Sequence, residues 1–139
     1  MIGRSSENYD LKNRTKLFAI QVIQLSKEFS KSFESQFIRK QLIRSAASVA
    51  ANYRAARRGR SRREFIAKLS IVIEECDESC FWLELSAELG VIKSERCALS
   101  LQEGGELTAI FVVSRNTART RLAQEIRAPH SRSRTPIIP

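Results

Sequence analysis

Six arginines fall within ten residues of this sequence and form its strongest chemical signal. They are Arg54, Arg57, Arg58, Arg60, Arg62 and Arg63. Guanidinium groups bind phosphate through paired hydrogen bonds, and a helix that begins beside the cluster would direct free amides toward the same region. We therefore expect a phosphate-binding surface here, with support from three cations near the chain start, Lys12, Arg14 and Lys16. The alternative is a solvated turn whose charge is partly neutralised by the acidic middle of the chain.

The overall charge also favours a polyanionic partner. The 139 residues include 24 basic and 15 acidic side chains, a net charge of +9. Residues 1–63 hold 15 bases and four acids, residues 64–106 three bases and ten acids, and residues 107–139 six bases and one acid. A basic protein of this kind favours nucleic acid, and an acidic membrane surface less so. The segregation has a second interpretation, in which oppositely charged helices pair within a bundle or between subunits.

The residues needed for common enzymatic chemistry are not placed together. The single histidine, His130, lies in a Pro-flanked tail, so no Ser/His or Cys/His pair is expected in the folded body. Gly104-Gly105 has neither the preceding strand nor the following Lys-Ser/Thr of a phosphate-binding loop. We expect no enzyme, no cofactor and no small-molecule substrate. Tyr53 falls on an apolar stripe, which favours recognition of the nucleic-acid backbone over base stacking.

Two further groups resemble metal ligands only in part. Cys76 and Cys80 share a helix face that Cys97 could complete, but thiols on an apolar stripe usually pack in a core. The acids are Glu74, Glu75, Glu78, Glu103 and Glu106. Carboxylate-bridged metal bundles also need Glu-x-x-His pairs, which are missing, so we expect no metal. Instead we expect these acids to pair with arginines, the candidates being Arg39, Arg44 and Arg54.

Apolar residues recur at helical spacing in the first half of the chain. The first stripe consists of Phe18, Val22, Leu25 and Phe29, and it predicts a helix over about 13–30. The second consists of Leu42, Ala46, Val49 and Tyr53, and it predicts a helix over about 34–58. The alanines and serines of this second helix would let a neighbouring helix approach closely. Gly59 should end it, and Ser61 with Glu64 predicts a capping box for the next helix.

Two more helices follow at the same spacing. The third stripe consists of Phe65, Leu69, Val72, Cys76, Ser79 and Leu83, with Ile66, Ile73 and Cys80 on its flank. It predicts a helix that ends near Leu89 and Gly90. The fourth, capped by Ser94, has as core candidates Cys97, Leu101, Leu107, Ile110, Phe111 and Ser114. Gly104-Gly105 should bend or fray it, because each glycine costs about 1 kcal/mol relative to alanine in a helix.

These helices predict an all-α fold, an antiparallel up-and-down four-helix bundle. We expect an N-terminal arm over residues 1–12, the bundle over 13–120 and a disordered basic tail over 121–139. The longest apolar run is five residues, 109–113, so no membrane span is predicted. Three cysteines without a signal peptide indicate free thiols and a cytoplasmic protein.

Several segments resemble one known bacterial family. They are 9–11 (YDL), 41–54 (QLIRSAASVAANYR), 59–65 (GRSRREF), 74–78 (EECDE), 81–85 (FWLEL), 106–111 (ELTAIF) and 117–119 (TAR). Their order and spacing are similar to those of the four-helix bundle proteins also called 23S rRNA intervening-sequence proteins. The resemblance covers residues 9–120. It implies a small non-enzymatic bundle, self-association as pentameric barrels and a basic surface suited to nucleic acid.

The sequence therefore leads to two hypotheses. The first is a homo-oligomeric bundle that binds nucleic acid, RNA above DNA, through the six arginines with Lys12, Arg14 and Lys16. The second is a structural or adaptor assembly that binds a protein partner, because the segregated charge could be neutralised between subunits.

Overall fold

The computed structural model describes residues 3–128 of the chain. In this range four helices follow one another, with no strand: α1 (Gly3–Ser26), α2 (Phe33–Arg57), α3 (Arg62–Glu88) and α4 (Ser94–Arg127). Each helix packs on the next, and α4 closes the bundle against α1, so α1 lies diagonally across from α3. The predicted all-α four-helix bundle is confirmed. No helix of the described range combines the length and the hydropathy required to cross a bilayer.

Helix α1 begins earlier and ends earlier than the spacing predicted. It starts at Gly3, so residues 3–12 of the expected arm are helical. Leu11 packs against the core and Thr15 is buried, which extends the face of Phe18 by two turns. At the other end Ser26 Oγ donates to the Ile23 carbonyl. The amides of residues 27–29 then each bond the carbonyl three residues earlier, in place of the α-helical spacing of four. Phe29 remains buried in this turn, which explains why its spacing resembled a longer helix.

Helix α4 extends further than predicted. It continues to Arg127, past the expected end near residue 120. Ala118 is buried and Leu122 half-buried, so the apolar spacing of four continues through this segment. Residues 121–127 of the expected disordered tail are therefore helical, whereas residues 129–139, with His130, lie outside the described range. At its start Lys93 holds the cap position, and Ser94, the predicted cap, is the first helical residue.

The core confirms the predicted faces. The stripes of α1 and α2 are fully buried, and so are Leu69, Val72, Cys76, Ser79 and Leu83 of α3. Cys97, Leu107 and Phe111 of α4 are also completely buried, while Leu101, Ile110 and Ser114 are half-buried. Small residues bring α2 and α3 together, because Ser79 Oγ donates to Ser45 Oγ at 3.0 Å inside this seam.

The glycine pair does not interrupt α4, which is one continuous helix through residues 104 and 105. Gly104 is buried, and a Cβ atom there would lie 2.6 Å from Cys80 Sγ and 3.5 Å from the Phe18 ring. Gly105 is exposed with nothing within 4 Å of an added Cβ. The expected fraying is therefore wrong. Gly104 is present because α3 and α1 leave no room for a side chain, and packing overrides its low helix propensity.

Candidate nucleic-acid interface

The α2–α3 turn positions most of the arginine cluster. Arg58 caps α2, and its amide donates to the carbonyls of Ala55 and Ala56. Ser61 Oγ accepts the Glu64 amide at 3.1 Å, as the predicted capping box requires. The Glu64 carboxylate reaches back one residue further than expected and accepts the amide of Arg60 at 3.2 Å. The two bonds fix the backbone of the turn, so its guanidinium groups project from a defined loop.

Five of the six clustered arginines are exposed and available to a ligand. They are Arg54, Arg57, Arg58, Arg60 and Arg63, and none has an ion-pair partner among the described residues. Arg62 differs, because its Nη2 lies 2.6 Å from Oε1 of Glu125 on α4. Arg62 therefore joins α3 to the end of α4. The cluster is thus divided between five exposed arginines and one arginine that joins two helices.

Tyr53 is part of the core, as its spacing predicted. Its ring packs against Phe111 with centroids 5.2 Å apart. Burial raises the pKa of the Tyr53 hydroxyl, although the charge of Arg57 and a hydrogen bond from it act in the opposite direction. Arg57 therefore extends over the end of the core, and the ring is not available for base stacking.

A groove between α1 and α2 brings together three of the predicted cations. Lys12 and Lys16 from α1 and Arg54 from α2 line it, and its volume is about 490 Å³. The other lining residues are small or neutral: Asn13, Ala19, Ala47, Ala50 and Ala51. Because the alanines carry no bulk, a phosphate chain could approach the helix backbones between the cations. The small residues of α2 therefore serve two neighbours, α3 on one side and this groove on the other.

Arg14 does not belong to this groove. It points toward α4, where its Nε donates to Glu103 Oε2 at 3.0 Å and its Nη2 to Oε1 at 2.6 Å. Glu106 is a second partner at 3.5 Å. The hydrogen bond to Glu103 is the main reason that the pKa of Arg14 is raised. Of the nine predicted site residues, Arg14 and Arg62 therefore pair with glutamates of α4, and the other seven are exposed.

Two arginines of α4 reach the same end of the bundle and were missed. Arg119 and Arg121 are exposed and have no ion-pair partner among the described residues. The contact between Arg62 and Glu125 shows that this part of α4 lies beside the α2–α3 turn. The spacing of four between Ala118 and Leu122 is the sequence signal that places Arg119 and Arg121 on α4. We call the following exposed cations the basic end: Lys12, Lys16, Arg54, Arg57, Arg58, Arg60, Arg63, Arg119 and Arg121.

Four of the five acids predicted to pair with arginine do so, and Glu74 has no ion-pair partner among the described residues. Arg44 contacts both Glu75, at 3.0 Å, and Glu78, and so joins α2 to α3. Of the other predicted partners, Arg39 donates to the Ser26 carbonyl, and Arg54 stays in the groove. Glu103 and Glu106 pair with Arg14. Within residues 3–128 no group of His, Cys, Asp and Glu could hold a metal ion.

The three cysteines are free thiols at helix seams. Burial raises the pKa of Cys76 to about 12 and that of Cys80 to about 11. Cys97 is fully buried, and its pKa is raised for the same reason. These thiols stay protonated at neutral pH, so they pack as apolar side chains.

Comparison with known proteins agrees with the fold. A family model described as "23S rRNA-intervening sequence protein" matches residues 7–112. Among solved structures, the chain is similar to the crystal structure of a protein with unknown function from the S23 ribosomal protein family of Bacteroides thetaiotaomicron. The two are 29% identical, with a TM-score of 0.69 over 74% of this chain and 95% of the other. A comparison with curated proteins finds no match.

Proposed function

The chain belongs to the family of 23S rRNA-intervening sequence proteins, and from that premise we propose that it is a non-enzymatic protein that binds RNA at its basic end. The observation that carries this proposal is that nine exposed cations from the four helices and the α2–α3 turn lie toward one end of the bundle, without carboxylate partners among the described residues. Elsewhere in the bundle, arginines such as Arg14 and Arg44 are paired with glutamates. An unneutralised cluster of this size favours a polyanion.

The shape of the basic end supports recognition of the phosphate backbone. Lys12, Lys16 and Arg54 line the groove, and Arg54 lies one helical turn before Arg57 and Arg58 at the end of α2. No aromatic side chain lines the groove. Contacts of this kind read the shape and charge of a structured RNA, and they do not depend on unstacked bases. We accordingly propose RNA with paired regions as the ligand.

We propose that the protein acts as a homo-oligomer in the cytoplasm. Its described cysteines are free, which agrees with a reducing compartment. The α1–α4 seam supports self-association, since these two helices pack least against each other and leave Leu17 and Leu99 exposed. Light scattering tests this, and a mass of five chains would match the pentamer that the family resemblance implies. Leu99→Glu should lower the mass, whereas the matched change Ala98→Glu, at an exposed neighbour, should not.

The RNA proposal is tested by fluorescence anisotropy with a structured RNA and a matched DNA duplex over a series of salt concentrations. The logarithm of affinity should fall linearly with the logarithm of salt concentration. Replacing Arg57, Arg58 and Arg60 with alanine should reduce the slope by about one per lost phosphate contact. Tighter binding of RNA than of DNA would establish the preferred ligand.

A matched control has the same charge change at the opposite end of the bundle. Lys27, Lys31 and Lys93 are exposed beside the other two connections and take part in no ion pair of the described chain. Their triple alanine variant should keep the slope of the unmodified protein. An equal effect of the two triple variants would mean that net charge alone controls binding. Absence of binding at low salt would instead support the second hypothesis, an adaptor that binds a protein partner.

A further inference from the structure

An aromatic cluster lies at the other end of the bundle from the arginine turn. Phe33 and Phe37 stand one turn apart at the start of α2, with 87% and 51% of their surfaces exposed. Phe81 on α3 is 50% exposed, and its ring centroid lies 4.9 Å from that of Trp82. Trp82 also meets Phe37 edge-on at 6.1 Å. Contiguous exposed aromatic surface of this kind is typical of an interaction site.

Phe81 is also the centre of an acidic stripe along α3. Glu74, Asp77, Glu84 and Glu88 flank it at spacings of three and four residues, and all are exposed. At 1.5 Å per residue the stripe is about 21 Å long. None of its four acids has an ion-pair partner among the described residues, because Arg44 binds Glu75 and Glu78 instead. Lys40 is exposed on the α2 side of the cluster. The positive charges of a ligand would therefore lie against the acidic stripe of α3 and not against α2.

The charge of this face distinguishes between classes of ligand. Exposed rings could stack on bases, but a phosphate backbone would be repelled by four unneutralised carboxylates. The aromatic cluster is also far from the arginine turn, because Phe37 and Arg57 are about 30 Å apart along α2. Aromatic anchors surrounded by acids are instead complementary to a helix that presents apolar residues on one side and Lys or Arg beside them.

We propose that this face, the four aromatic residues with the acidic stripe of α3, docks a cationic amphipathic helix of a partner protein. The assignment to a partner rests on the proposed function in one respect: with RNA bound, the exposed cations of the basic end are unavailable to the acidic stripe of a second copy of the chain. The face would then make the protein a connection between an RNA and a basic protein. RNA binding at one end and peptide binding at the other are independent of each other.

The chain contains its own reporter, because Trp82 is its single tryptophan. A synthetic Leu/Lys amphipathic peptide without aromatic residues, about 18 residues long so that it spans the stripe as a helix, is titrated into the full-length protein. Saturable change in tryptophan emission is the expected result. Phe37→Ala with Phe81→Ala should weaken binding at least about tenfold, since central aromatic anchors carry most of the affinity. Glu84→Gln with Glu88→Gln should weaken it too, and more at low salt.

Matched controls test whether the peptide binds this face specifically or any exposed acidic and apolar side chains. Asp10→Asn with Glu95→Gln removes two exposed carboxylates outside the face, and Val113→Ala removes part of an exposed apolar side chain on α4. Both controls should bind the peptide like the unmodified protein. Equal binding by the phenylalanine variant, or an unchanged emission on titration, would overturn the proposal.

Two other occupants give distinct results. If a second copy covers the face, tryptophan emission will depend on protein concentration, and the phenylalanine variant will have a lower mass by light scattering. If RNA covers it, RNA will alter the emission, and the phenylalanine variant will lose RNA affinity. Either result overturns the partner proposal. Failure of the RNA proposal is separate, because the Arg57, Arg58 and Arg60 variant should still bind the peptide.

Discussion

Arg14 on α1 and Glu103 on α4 form a two-point ion pair across the least tightly packed neighbouring helices of the bundle. Nε lies 3.0 Å and Nη2 2.6 Å from the two carboxylate oxygens. Both side chains are about three-quarters buried. The pair fixes the register of the first helix against the last, a contact that local sequence spacing does not encode.

Removing this pair should destabilise the fold measurably. Arg14→Ala should lower the free energy of unfolding by about 1–2 kcal/mol, because a charge-assisted bond is lost and Glu103 keeps an unpaired charge. Urea denaturation measures the change. Lys16→Ala, on the same helix but without an ion pair, serves as the control. In a double-mutant cycle with Glu103→Ala, a coupling energy near zero would contradict the structural role.

The two adjacent glycines should respond in opposite directions to alanine. Gly105→Ala should raise the free energy of unfolding by up to about 1 kcal/mol, since helix propensity improves and nothing obstructs the new Cβ. Gly104→Ala should lower it, because the Cβ would lie 2.6 Å from Cys80 Sγ. Thermal denaturation of the two variants tests this.

Cys80→Ala provides the control for the steric cause. Added to Gly104→Ala it should recover much of the lost stability, because the sulfur that collides with the new Cβ is gone. Equal stabilisation by the two glycine substitutions would show that the α3–α4 seam is wider than described.

The buried thiols predict a loss of stability at alkaline pH. The pKa of Cys76 is raised to about 12 and that of Cys80 to about 11, whereas unfolded cysteine ionises near pH 8.5. Above that pH the unfolded chain releases protons that the folded chain keeps, so the unfolded state gains free energy of ionisation. The free energy of unfolding should be constant below about pH 8.5 and fall as the pH rises toward 11.

Denaturant titrations from pH 7 to 10.5 measure this trend. In the Cys76→Ala variant the fall should be shallower. Thiol-reactive dye should label the native protein slowly and the unfolded protein fast. Rapid labelling of all three cysteines in the native state would contradict their burial.

The last two turns of α4 should contribute to stability. A chain that ends at residue 120 loses the half-buried Leu122 and the Arg62–Glu125 pair, which a chain ending at residue 128 keeps. The shorter chain should therefore have the lower melting temperature by circular dichroism. Glu125→Gln in the longer chain isolates the ion pair, and identical melting of both truncated chains would show that this segment does not pack.

The helix faces of this protein could be predicted from sequence because apolar spacing records burial directly. Phe18, Leu42 and Leu69 occupy the core positions that spacing assigned to them. Helix ends were less predictable. Ser26 is the last residue of α1 and Ser94 the first residue of α4, and a small polar residue such as serine fits a helix, its cap or a turn equally well.

The sequence could predict which residues form the candidate site, but not which of them are exposed and which pair with glutamates. Sequence spacing cannot show that Arg62 and Arg14 turn toward glutamates 63 and 89 positions away. It also did not predict that the rings of Phe33, Phe37 and Phe81 are exposed. Which neighbour a side chain meets depends on helix packing, and packing is long-range information.

The ion pairs described above all use arginine as the cation. None of the chain's lysines, which all fall within residues 3–128, takes part in one. Arginine therefore both joins helices and, at the basic end, faces solvent, whereas the lysines are left without an ion pair. Acetylation of lysine amines would remove the charge of the seven lysines while leaving the interhelical pairs and the exposed arginines of the basic end intact. Lysine acetylation would thus weaken the attraction of this protein for a polyanion without removing any ion pair that joins its helices.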